Sequence, residues 1–146
     1  MPGKFNHELW KFGTNLEDAI KPQLEEKFKC SLDRTDDIFD VIDFRDNENK
    51  IAVEIKGRRC PSTQYKDTII TKGKINTGWK LNDLGWKVYL IFIFTDKTLY
   101  HQITGDETWN VKLTGTHNIE HFLLPIKELK EFEDKELKVI EDKDEL

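Results

Sequence analysis

The stretch from Ile38 to Arg59, IFDVIDFRDNENKIAVEIKGRR, constrains this chain more than any other. It reads as two strands rich in Val, Ile and Phe, joined by a polar turn from Asp46 to Lys50. With the turn centred near Glu48 and Asn49, antiparallel pairing sets Asp43 opposite Glu54, Phe44 opposite Val53, Ile42 opposite Ile55 and Asp46 opposite Ile51. Side chains alternate between faces, so Ile42, Phe44, Ile51, Val53 and Ile55 share an apolar face, and Asp43, Glu54 and Lys56 share the other.

Directly opposed residues hold their Cβ atoms roughly 4.5 to 5.5 Å apart, and like charges so placed destabilise a sheet. Two facing carboxylates therefore need an offset, and a divalent cation supplies one. A hard cation such as Mg²⁺ takes oxygens from one or two carboxylates and keeps positions open for water and phosphate. The alternative is an exposed hairpin face that carries charge to no purpose.

Asp43, ten residues and then Glu54-Ile55-Lys56 resembles the signature of the PD-(D/E)XK nuclease superfamily, an Asp on one strand and E-x-K on the next. The resemblance implies that Asp43 and Glu54 bind the catalytic metal, helped by the Ile55 carbonyl, and that Lys56 orients or activates the attacking water. Ile42 stands where the family usually has Pro. Asp40 is a rival to Asp43; simple alternation turns it to the apolar face unless a bulge intervenes.

The formal net charge of -5 over 146 residues conceals an asymmetry. From Glu54 to Lys87 there are eight basic residues and three acids, a local net of +5; from Lys127 to Leu146 the net is -4. The basic middle suits phosphates. Within it Arg58 and Arg59 follow the E-x-K directly, placed for bidentate phosphate binding beside a metal, with an ordinary exposed basic pair as the alternative. Lys66, Lys72 and Lys74 complete the expected DNA-binding set, although Lys74 equally suits a solvated helix position.

Thr14-Asn15-Leu16-Glu17 has the S/T-x-x-E form of a capping box, so a helix is expected from Thr14, with Leu16, Ile20, Leu24 and Phe28 as its packing stripe. Pro22 is expected to break or kink it. Glu17 has two readings: the capping partner, or, because Gly13 and Glu17 resemble resolvase-like PD-(D/E)XK enzymes, a carboxylate completing the metal or water shell. Glu25 is the weaker candidate for that role.

Downstream, the segment from Gln64 is expected to turn into a helix running to Leu84 and stopped by Gly85. It loosely resembles phage and viral nuclease-like proteins in which a Y-P-T-T-M-I-G-type segment precedes a helix. Trp86 to Phe94, WKVYLIFIF, is expected as a central strand buried on both faces. Thr98 to Ile103, Thr108 to Leu113 and His121 to Ile126 follow as strands, and Lys127 to about Ile140 as an acidic amphipathic helix. The expected class is α/β (α+β), an αβββαβ core with a mixed central sheet flanked by helices, extra C-terminal strands and a terminal helix. Residues 1–126 form the nuclease-like domain and 127–146 the acidic tail.

No apolar run resembles a signal peptide or a membrane span, so Lys143-Asp144-Glu145-Leu146 is read as a coincidental match to a retention signal, and the expected location is the cytoplasm or, for a phage-encoded enzyme, the host interior. Cys30 and Cys60 are expected as reduced thiols. His117 and His121 lack a third ligand for zinc, and Trp10, Trp79, Trp86 and Trp109 are assigned to packing.

The resemblance, from about Gly13 to Ile103, implies a DNA endonuclease using Mg²⁺ or Mn²⁺ and leaving a 5′-phosphate and a 3′-hydroxyl. A Holliday-junction-type resolvase and a non-cleaving DNA- or protein-binding module are the alternatives. One site per small domain makes a homodimer the natural expectation for cutting both strands of a duplex.

Overall fold

A computed structural model of the chain describes His7 and residues 15–35, 42–115 and 117–132. Trp10, Gly13, Thr14, Asp40 and the tail from residue 133 lie outside the described residues.

The hairpin forms in the expected register. Strands β2 (Phe44–Asp46) and β3 (Ile51–Gly57) pair antiparallel, Phe44 opposite Val53 and Asp46 opposite Ile51. The turn is held by Asp46, whose carboxylate accepts from the backbone N–H of Asn49 at 3.0 Å, from Asn49 Nδ2 at 2.8 Å and from the N–H of Ser31 at 2.9 Å. These bonds depress the Asp46 pKa, those from Asn49 and Ser31 foremost. Lys50 completes the turn in the left-handed region at φ 54°.

β3 is the hinge of the architecture. It pairs in parallel with β5 (Lys87–Ile93), Glu54 opposite Leu90, and a parallel neighbour requires a crossover. The crossover carries β4 (Asp67–Thr71) and helix α2 (Lys72–Asp83). Strands β1 (Asp33–Arg34), β6 (Thr98–Gln102) and β9 (Lys130–Glu131) complete a six-stranded sheet in the order β1-β2-β3-β5-β6-β9. A second sheet, β4-β8-β7, adds β7 (Asn110–Thr114) and β8 (Ile119–Pro125), both antiparallel to their neighbours.

Alternation along the central strands divides the core in two. Phe44, Ile51, Val53, Ile55, Tyr89, Ile91 and Ile93 pack on Ile20 and Leu24 of helix α1 (Leu16–Phe28) and on Phe132. Ala52, Val88, Leu90 and Phe92 pack on Ile75 and Leu81 of α2 and on Ile70, Phe122 and Leu124 of the second sheet. The mixed sheet, two helices and added strands are the expected class.

Five local expectations are corrected. Ile42 joins the α2-side cluster, not the face of Phe44 and Val53, because it precedes the paired part of β2. Helix α1 is capped by Asn15, whose Oδ1 accepts from the N–H of Glu17 at 3.1 Å and of Asp18 at 3.4 Å; Asn15 Nδ2 donates back to Asp18, so the reciprocal cap is one residue later than expected. The helix also continues through Pro22. The segment before α2 is a strand at Asp67–Thr71, where the β-branched run Thr68-Ile69-Ile70-Thr71 pairs with β8.

The fifth correction concerns the C-terminus. Residues expected to start a helix instead form a 3₁₀ turn at Ile126–Glu128 and then β9, which pairs with β6. Phe132 is fully buried beside Phe28 and Tyr100, so the chain up to this residue packs against the core. Trp79, Trp86 and Trp109 are partly buried packing residues, as assigned.

Candidate active site

β3 brings the site together. Its odd-numbered residues from Ile51 to Ile55 face α1, which turns Glu54 and Lys56 towards α2. Glu54 is 1% exposed, an unusual position for a carboxylate. Asp43, just before β2, accepts at Oδ2 from the backbone N–H of Ile55 at 2.7 Å, which anchors it across from Glu54.

Two ammonium groups face Glu54. Lys74 Nζ of α2 lies 2.6 Å from Oε2, and Lys56 Nζ lies 3.6 Å from the same oxygen. Oε1 is buried and has no hydrogen-bond partner among the described residues. Burial pushes the Glu54 carboxyl up from 4.5 to about 7, and the nearby Asp43 charge adds to the rise; Lys74 and Lys56 pull in the other direction.

The donor set fits a hard divalent cation. An orphaned buried carboxylate oxygen sits beside a second carboxylate and the Ile55 peptide, and every donor is oxygen. Among the described residues no group of three or more His, Cys, Asp or Glu side chains could hold a metal ion, so such an ion would complete its shell with backbone, water or substrate oxygens.

The remaining expected residues divide. Glu17 stands in the first turn of α1 and binds Arg34 at 2.9 Å, an arrangement that Asp18 shares at 2.7 Å; none of its described contacts reaches Asp43, Glu54 or Lys56. Glu25 accepts from the N–H of Leu32 at 2.8 Å. Arg58 is largely turned inward: Nε donates to Thr68 Oγ1 at 2.9 Å, Nη2 donates to the Ile69 carbonyl, and burial lowers its pKa. Arg59 and Lys66 are exposed, and Lys72 pairs loosely with Glu120 at 3.5 Å.

The Lys74 contact with Glu54 was not legible. The sequence assigned Lys74 to DNA; its closeness to a buried carboxylate depends on how α2 lies across β3. A second polar centre also escaped notice. Glu107 accepts from Trp79 Nε1 at 2.9 Å, from the N–H groups of Thr104 at 2.7 Å and Gly105 at 2.9 Å, and contacts His101 Nε2 at 2.7 Å. Its only sequence signal was an acid two residues after the turn glycine Gly105.

No curated protein and no solved structure matches the chain. A family model described as "Phage putative PDDEXK endonuclease" matches residues 13–119, a span that includes the hairpin, Lys74 and both sheets up to the start of β8. The chain therefore belongs to this family of phage PD-(D/E)XK endonucleases.

Proposed function

We propose that the protein is a divalent-metal-dependent endonuclease that hydrolyses phosphodiester bonds in DNA at the site formed by Asp43, Glu54 and Lys56. The observation that carries this reading is the buried Glu54 carboxylate with an unpartnered Oε1, flanked by Asp43 and by two lysines. Asp43, Glu54 and the Ile55 carbonyl would hold Mg²⁺ or Mn²⁺. When bound, that ion supplies charge neutralisation at the scissile phosphate and a lower pKa for a coordinated water.

The chain's own groups do the rest. Lys56, with 31% of its side chain exposed, presents a positive charge at the open edge of the site, where it holds the attacking water in line. The water oxygen bonds to phosphorus, the P–O3′ bond breaks, and a 5′-phosphate and 3′-hydroxyl result. A solvent water takes the proton of the attacking water and solvent returns one to the departing O3′, while the Lys56 ammonium orients the nucleophile. Lys74, less exposed, opposes the desolvation that favours neutral Glu54 and, in this reading, meets negative charge on the bound phosphate. Arg59 and Lys66 offer exposed charge for the flanking backbone.

Plasmid, linear duplex, junction and single-stranded DNA, incubated with Mg²⁺ or Mn²⁺, test the reading. Cleavage abolished by EDTA, by Glu54→Gln and by Lys56→Ala is the expected result. Metal binding without cleavage of any substrate would turn the assignment to a non-cleaving module. Duplex substrates cut on both strands should require two copies of the chain, readable as a second-order dependence on protein concentration.

A further inference from the structure

Past Lys56, the strand leads to a cavity of about 460 Å³ that no part of the proposed hydrolysis uses. Arg58, Tyr65, Phe94, Lys112, Leu123 and Ile126 are among its walls. Arg58 continues the line of β3, its N–H bonded to the Ile93 carbonyl at 2.8 Å, and lies two residues from Lys56, roughly 7 Å at strand rise. Arg58 is four residues beyond Glu54, so this wall of the cavity lies roughly 13 Å along the strand from the Glu54 site, a span of a few nucleotides.

Its chemistry is that of a base receptor. The Arg58 guanidinium is fixed by Thr68, the Ile69 carbonyl and, at 3.4 Å, the Gly57 carbonyl, and it lies 6.0 Å from the centre of the Phe92 ring. A guanidinium held in one plane is a stacking surface, as is an aromatic ring. Tyr65, 64% exposed, stands at the rim with no packing task to explain a large ring in solvent. Phe94, Leu123 and Ile126 supply an apolar stretch of wall for a base, Asp67 in the same lining offers an acceptor for a base amino group, and the exposed Lys112 supplies the charge a phosphate needs at the edge. The volume falls in the range of roughly 300 to 1,000 Å³ of small-ligand sites, too small for a duplex.

We propose that this cavity receives a single unstacked nucleotide of the DNA strand bound at the Glu54 site, its base between Tyr65 and Arg58 and its phosphate towards Lys112. The inference rests on the nuclease reading and adds to it a substrate class. Unstacking is least costly where a base is already unpaired, so DNA with an unpaired nucleotide within a few positions of the cut is preferred over continuous duplex.

The test uses the full chain in Ca²⁺ and single-stranded oligonucleotides carrying 2-aminopurine, or an abasic site, at successive positions. One position should change fluorescence on binding, and an abasic site there should weaken binding on the order of tenfold, the scale of one lost stack. Tyr65→Ala should produce a similar loss that the abasic site does not deepen, and Leu123→Trp, which fills the cavity, should do the same. If Leu123→Trp does not fold, Tyr65→Ala on its exposed segment decides alone. Binding indifferent to abasic sites at every position overturns the proposal, as does a deoxynucleoside monophosphate that binds as tightly as the strand. Cleavage in Mg²⁺ with such indifference removes the base receptor and leaves the nuclease reading intact; position-specific binding without cleavage does the reverse; failure to bind any strand overturns both.

Discussion

Lys74 Nζ lies 2.6 Å from Glu54 Oε2, joining the first turn of α2 to the middle of a buried strand. The contact places a fixed positive charge against a carboxylate that burial and Asp43 would otherwise drive towards its neutral form. Replacing Lys74 by Met removes one of the influences that lower the Glu54 pKa, so that pKa should rise above about 7. Carbon-detected NMR titration of the Glu54 carboxyl measures the change. Under the proposed function, cleavage should fall by about a hundredfold or more, the scale of removing one preorganised charge.

The raised Glu54 pKa makes metal-free stability depend on pH with a definite sign. Its pKa is about 7 in the folded chain against 4.5 for an unperturbed glutamate, so between those values the folded state binds more protons than the unfolded one. Stability attributable to Glu54 is therefore greatest below pH 4.5 and is lost as pH rises towards 7. A tenfold difference in proton affinity between the two states corresponds to about 1.4 kcal/mol, so Glu54→Gln should exceed the wild type by up to about 3 kcal/mol at about pH 8 and match it at about pH 4. Urea unfolding at the two pH values gives the difference. Mn²⁺ should close the gap at the higher pH by stabilising the wild type alone.

Glu107 behaves in the opposite sense. Burial would raise its pKa, but the bonds from His101, the Thr104 N–H and Trp79 outweigh this and bring it down to about 2. Its contribution is therefore present above pH 4.5 and lost as pH falls towards 2. Glu107→Ala leaves the indole N–H and two backbone N–H groups without their acceptor, at a cost of about 2 kcal/mol or more at neutral pH. Thermal unfolding at neutral pH and close to pH 2 should show a large deficit in the first case and a small one in the second.

Gly78 sits inside α2 against the sheet, where an added Cβ would meet Val88 at 3.5 Å and Ile103 at 3.6 Å. Those are ordinary contacts, and Ala holds a helix better than Gly by about 1 kcal/mol. Gly78→Ala should raise stability by about 0.5 to 1 kcal/mol, measured as an increased urea midpoint with an unchanged slope.

What could be read from the sequence was what depends on near neighbours. Period-two alternation and a polar turn set the β2–β3 register from Phe44 to Asp46, and Asp43, just outside the paired segment, bonds instead to the Ile55 N–H. The apolar run of β5 identified a strand covered on both faces. Where local preferences were balanced, the reading slipped: the cap of α1 moved by one residue because Asn15 is as good a cap as Thr. A β-branched run that adjoins a helix was absorbed into it, hiding β4.

Only the tertiary structure decided the rest, because it depends on groups far apart in the chain meeting in space. The crossover lays α2 over the Glu54 face of β3 and makes Lys74 its closest ion partner. The second sheet forms because β4 finds β8, and residues of both line the cavity that Arg58 closes past the end of β3. β9 and Phe132 are drawn into the core by β6 and α1, against the helical pattern of the acidic tail. Alternation along one strand determines which face a side chain takes, but not which distant element comes to cover that face.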